Sequence, residues 1–198
     1  EGYTGVHLPV AVAGGITLGA DPFVVSRWIG IISFFLAWVL LFLTFRLLHI
    51  RDMAIALILL LYGTTSVLFT HATSGMETML FITAIFFSLY SFARFLSDGG
   101  RGKSALLSLA LLLTSLVRPE GVAFSGLVFL AALYFQYKHR RNELGRFIAA
   151  FTGVYFLPAT LYFLWRWNYY EALLPNTFYA KRGDWNIYIF LDIMRFFR

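Results

Sequence analysis

The sequence predicts an all-α fold, a polytopic transmembrane helical bundle with about six to seven spans, and three observations predict it. Hydrophobic residues make up 60% of the 198-residue chain and charged residues only 13%, against roughly a quarter charged in soluble domains. Mean hydropathy is +0.74. Apolar runs close to the ~20 residues that cross a bilayer core recur along the whole length. Residues 1–198 read as one transmembrane domain.

The elements follow in order. Residues 1–21 read as the end of a first extracytoplasmic loop followed by a re-entrant or amphipathic segment. Asp21-Pro22 is a helix start, with Asp as N-cap and Pro in the first turn, and the run from Phe23 reaches Leu48. Further spans are expected over 53–70, 78–93, 104–117, 122–137 and 147–165, residues 166–184 read as an extracytoplasmic motif loop, and Asp184 would cap another helix from Trp185 onward. The runs 104–117 and 122–137 are about 14 and 16 residues, roughly 21 to 24 Å at 1.5 Å per residue, against ~30 Å of hydrocarbon. The turn between them, Arg118-Pro119-Glu120-Gly121, is therefore expected to lie recessed, against protein or a polar cavity. Tyr62-Gly63-Thr64-Thr65 and Gly14-Gly15 read as packing or bend positions.

Loop charge sets the orientation. Arg46, Arg51, Arg94, Arg101, Lys103, Lys138, Arg140, Arg141 and Arg146 fall in alternate connections, which the enrichment of Lys and Arg in short cytoplasmic loops makes the inner ones. The other face then collects Glu1-Gly2-Tyr3-Thr4, Ser74-Gly75-Met76-Glu77, Arg118-Pro119-Glu120-Gly121 and Leu174-Pro175-Asn176-Thr177-Phe178-Tyr179-Ala180-Lys181. An odd number of spans, most simply one, is expected to precede Glu1. No signal-peptide pattern opens the chain.

Composition also excludes. The pI near 9.7 would suit nucleic acid only if Lys and Arg shared a polar face, and here they punctuate apolar runs. The chain has no cysteine, hence neither disulfides nor thiolate metal sites. No phosphate-binding Gly-rich loop, zinc-ligand spacing or nucleophile elbow occurs. No cofactor is implied with certainty, and a divalent metal is left open.

Each polar motif has two readings. Ser74-x-x-Glu77 fits a capping box, while Glu77, an ionisable group at the mouth of a span, fits a functional site. Arg118 to Gly121 fits a tight turn, with Pro119 and Glu120 opening a helix and Arg118 paired to Glu120. At depth, the planar Arg118 fork also fits a phosphate. Arg166, Trp167, Tyr169 and Tyr170 fit an interfacial belt. The loop through Asn176, Tyr179, Lys181 and Arg182 puts amide, phenol and two cations together, which suits a ligand bearing both hydroxyls and phosphate, such as a lipid-linked sugar.

In this order and topology the four motifs resemble the bacterial members of the GT-C superfamily of polytopic glycosyltransferases, and within it the branch containing the mycobacterial-type terminal arabinofuranosyltransferases. The resemblance spans nearly the whole chain, and its most specific part is Leu174 to Lys181. It implies a cell-envelope enzyme of the bacterial inner membrane with its site facing the extracytoplasmic side. The reaction would be an inverting transfer of a hexose or pentose from a polyprenyl-phosphate donor to a glycan, lipid or protein acceptor. It places the main catalytic carboxylate in the first extracytoplasmic loop, upstream of Glu1. Glu77 and Glu120 would then orient the sugar or support that base. Arg118, Lys181 and Arg182 would neutralise the lipid phosphate, and Tyr3, Arg166, Tyr170, Asn176 and Tyr179 would line the pocket. A carrier or flippase for a lipid-linked or anionic solute, and a non-catalytic structural membrane subunit, are the competing classes.

Overall fold

The computed structural model describes residues 7–98 and 100–170, and among them every regular element is helical. Helix α1 is His7–Thr17 and α2 is Pro22–Leu47; α3, Asp52–Thr64, and α4, Ser66–Thr73, follow. Then come α5, Thr78–Asp98, α6, Arg101–Val117, and α7, Glu120–His139. A 3-10 turn, Arg141–Glu143, leads into α8, Leu144–Phe151, a π turn, Thr152–Phe156, and α9, Leu157–Tyr170. Four helical stretches are long and apolar enough to cross a membrane, or five if the bent pair α3 and α4 counts as one.

The burial pattern of α2 is inside-out relative to a soluble helix. Its buried positions are Gly30, Ser33, Ala37 and Leu40, a stripe at helical spacing made mostly of small or polar residues. Trp28, Ile32, Phe35 and Leu36 face outward. Large apolar side chains outside and small residues at the contact are what a lipid-solvated bundle requires, since lipid removes the drive to bury Leu and Phe and leaves close backbone approach and interhelical hydrogen bonds to hold helices together. Such bonds are present. Thr83 donates to Ser33 O at 2.8 Å, tying α5 to α2. Thr114 Oγ1 meets Ser88 Oγ at 2.9 Å and donates to Ala84 O at 3.0 Å, tying α6 to α5. Ser125 donates to Leu111 O at 3.0 Å, tying α7 to α6. The largest apolar cluster sits where α5, α6, α7 and α8 meet, with Phe95, Leu107, Leu111, Ala132 and Phe147 fully buried.

Local sequence explains the boundaries. Asp21 caps α2 as expected, its carboxylate accepting from Phe23 N at 2.8 Å and Val24 N at 3.1 Å. At the other end His49 adopts φ 55°, and bonds from His49 N to Arg46 O and Ile50 N to Phe45 O, both 3.1 Å, form a Schellman closure. The span expected over 53–70 is broken, with α3 and α4 inclined by 55° at Thr65. Gly63 gives no side-chain packing there, and Thr64 and Thr65 donate to the Leu60 and Leu61 carbonyls at 2.8 and 2.6 Å, the back-bonding that bends helices. The π turn has a similar cause. Pro158 can neither donate to the carbonyl of Val154 nor fit against it, and the helix widens over the preceding residues.

Helix lengths correct the two short runs. α6 has 17 residues, ~25 Å, and falls short as expected, but α7 has 20, ~30 Å, and does not. It continues through Lys138 and His139, where basic residues suit a helix C-terminus. Only α6 is short enough to draw the Arg118 turn below the membrane surface.

Candidate functional site

Among the described residues the basic loops share one end of the bundle, and the two motif turns, Ser74–Glu77 and Arg118–Gly121, share the other. At the basic end the Arg140 guanidinium donates to Phe95 O, Leu96 O and Ser97 O at 3.1, 3.0 and 3.2 Å. A residue that counted in the sequence only as loop charge thus caps the orphan carbonyls of α5 from the end of α7.

At the motif end, the residue before Pro119 is barred from helical backbone by the proline ring, and Arg118 is extended at φ −146°, ψ 148°. Pro119 then takes helical angles, Gly121 N bonds Arg118 O at 2.9 Å, and α7 begins with Glu120 in its first turn. The Arg118–Glu120 pairing does not form. Glu120 is exposed, while the Arg118 guanidinium reaches Glu77 Oε1 at 3.3 Å and Thr78 Oγ1 at 3.4 Å and lies 5.8 Å from the centre of the Phe81 ring. Extended backbone at Arg118 sends the side chain across the bundle, and the turn carries Glu120 elsewhere.

The capping box is displaced as well. Ser74 donates to His71 O at 3.0 Å, at the end of α4. Glu77, not Ser74, takes the N-cap position of α5, its carbonyl receiving Phe81 N at 2.9 Å. A carboxylate there is favoured by the helix dipole. Glu77, Thr78 and Phe81 thus present one turn of α5 to Arg118. Thr78 and Phe81 were not read from the sequence, although Phe81, four residues after Glu77 and three after Thr78, shares a helix face with both.

The pair is half-screened, with side-chain exposures of 27% for Arg118 and 19% for Glu77. The polar contacts of Arg118 use Nη2 alone, so of the five donors of a guanidinium those on Nη1 and Nε have no partner among the described residues. Gly75, at φ 73°, lies against Ser26 of α2 so closely that a Cβ would come within 2.7 Å of its hydroxyl. Beside this turn a cavity of about 480 Å³ opens between α1 and α2, lined by Leu8, Val12, Phe23, Ser26, Ser74 and Gly75.

Beneath the Arg118 turn runs a chain of hydroxyls. Ser115 meets Tyr155 of the π turn at 3.0 Å and Ser125 at 3.0 Å. Gly121 packs so tightly on α6 that a Cβ would overlap the Thr114 carbonyl.

The expected site residues divide accordingly. Glu77 and Arg118 come together, and Glu120 starts the adjoining helix facing outward. The loop expected from residue 166 starts later, because α9 stays helical through Tyr170; Arg166 is partly buried on it, eleven residues past Tyr155, roughly 16 Å along the helix, and no hydrogen bond or ion pair joins it to Arg118 or Glu77. Tyr3, Asn176, Tyr179, Lys181 and Arg182 lie outside the described residues, and of Tyr170 only the helical backbone is described. Among the described residues no three His, Asp or Glu side chains are grouped to hold a metal ion. No family model matches the chain, nor does any curated protein or solved structure.

Proposed function

We propose that this chain belongs to a membrane-embedded glycosyltransferase of the bacterial plasma membrane, with six to seven spans in this stretch. It would transfer a sugar, with inversion, from a polyprenyl-phosphate donor to an extracytoplasmic glycan, lipid or protein acceptor. The observation that carries the reading is the Arg118–Glu77 pair. Two motif turns 41 residues apart meet in one ion pair, at the end away from the basic loops. As the anomeric C–O bond breaks, negative charge develops on the departing lipid phosphate, and the acceptor oxygen loses its proton to a carboxylate base. Arg118 is suited to the first task, since Glu77 and Thr78 hold one edge of the fork and leave the other for phosphate oxygens. Lys181 and Arg182 would add charge, Glu120 and Glu77 would support the base, and Tyr3, Arg166, Tyr170, Asn176 and Tyr179 would contact sugar or acceptor.

The test is transfer of radiolabelled sugar from defined polyprenyl-phosphate donors by the full-length protein in proteoliposomes. Arg118→Ala should lower turnover by about 10²–10³-fold while the protein still folds. Wild-type transfer by that variant and by Lys181→Ala would sink the reading. The broken helix at Thr65 favours one competitor, a carrier, because transporters build sites at discontinuous helices. In that case the labelled donor would cross the bilayer with its phosphate-sugar bond intact.

A further inference from the structure

A second cavity, of about 570 Å³, lies between the C-terminal halves of α2 and α5 at the end opposite the motif turns, lined by Leu41, Phe45, Leu48, Leu89, Phe92 and Leu96 among others. Its volume is in the range of small-ligand sites, roughly 300–1,000 Å³. Its few polar atoms are already engaged. Thr44 donates to Leu40 O at 2.7 Å and Ser97 to Arg94 O at 3.0 Å. The lining therefore offers an occupant apolar contact and no hydrogen bond, and suits a hydrocarbon chain.

The charge around it names the rest of the occupant. Arg46 follows Phe45 on α2, where one edge of its guanidinium pairs with Asp52 at 2.6 Å, and Arg94 follows Ala93 on α5; both are exposed. The three connections at this end, residues 46–52, 94–103 and 138–146, hold nine basic residues against three acidic ones. An apolar groove between helices that ends among such cations matches an amphiphile with a hydrocarbon tail and an anionic head. We propose that this groove holds one acyl chain of an anionic phospholipid, with the phosphate at Arg94 and Arg46. The site is independent of the sugar-transfer reading, since it lies at the other end of the bundle and shares no residue with it.

Native mass spectrometry of the full-length protein, titrated in detergent with phosphatidylglycerol or phosphatidylcholine of the same acyl chains, tests the proposal. One phosphatidylglycerol should bind at least 10-fold more tightly than phosphatidylcholine. Arg94→Gln combined with Arg46→Gln should erase that preference. Both residues are exposed, so folding is not at stake. Ala93→Phe, which fills the groove, should remove the tight phosphatidylglycerol in protein that still unfolds cooperatively. Equal binding of the two lipids, or a preference that survives the Arg pair, overturns the proposal. So does a dimer mass that Ala93→Phe abolishes, which would make a second copy the occupant.

Discussion

Glycines with the same chemistry do different work in α7. Gly121 abuts the Thr114 carbonyl and Ser115 Cα of α6, whereas Gly126 has nothing within reach of a Cβ. Gly121→Ala should therefore destabilise the protein by about 1–3 kcal/mol through overpacking. Gly126→Ala should be neutral or stabilising, by up to ~1 kcal/mol of helix propensity. Unfolding of both variants in the same mixed micelles checks the contrast, and equal effects would refute it. At this scale the sequence was a partial guide. Ser74, Glu77, Arg118 and Glu120 were all visible, but their partners were not. Arg118 has a carboxylate two residues away and bonds one 41 residues away, because Pro119 dictates the backbone before it and helix packing dictates what lies opposite. Neither effect can be counted off as spacing.

Among elements, spans were more legible than their interruptions. Asp21-Pro22, the run to Leu48 and the starts near 78 and 122 all correspond to helix boundaries within a few residues, because caps, prolines and apolar length act locally. The break at Thr65 and the π turn before Pro158 also had local signals, Gly63-Thr64-Thr65 and the proline itself, yet hydropathy passes over both since they leave the run apolar. Arg140 shows the limit of reading loop charge as topology alone. It is a C-terminal cap for α5 supplied from outside that helix, and Arg140→Ala leaves three carbonyls short of a donor. A loss of about 2 kcal/mol is expected, the scale of hydrogen bonds to a charged group. Arg140→Lys should recover only part of it, because an ammonium lacks the planar fork that serves several carbonyls at once. Thermal unfolding of both variants measures this, and full recovery by Lys would contradict the cap.

For the molecule as a whole, the segregation of polar motifs from basic loops is its organising feature, and the absence of cysteine makes it directly measurable. Single cysteines at Met76 and at Asn142 should react with a membrane-impermeant maleimide from opposite sides of sealed vesicles, one of the two only after permeabilisation. Labelling of both from one side would dismantle the two-ended arrangement. The part of the proposed site that composition and charge singled out most strongly, Leu174 to Arg182, lies beyond the described residues. The part that is described, around Arg118 and Glu77, is where long-range packing added what spacing could not.

The position of that ion pair in the chain has a bearing on biogenesis. Glu77 stands immediately before α5 and Arg118 immediately after α6, so the bond closes a helical hairpin at its open end. Each charge must travel to the same side of the membrane as the chain is made, and each is cheaper to expose there with its opposite beside it. The hairpin from 77 to 118 is thereby suited to leave the translocation machinery as a unit, before α7 is synthesised, and to template the docking of later helices. Ribosome-bound chains extended just far enough to free residue 121, carrying Met76→Cys and Glu120→Cys so that the ion pair itself is kept, should already be joined by a short bismaleimide. Joining that awaits α9 would mean that the bundle, not the hairpin, brings the two motifs together.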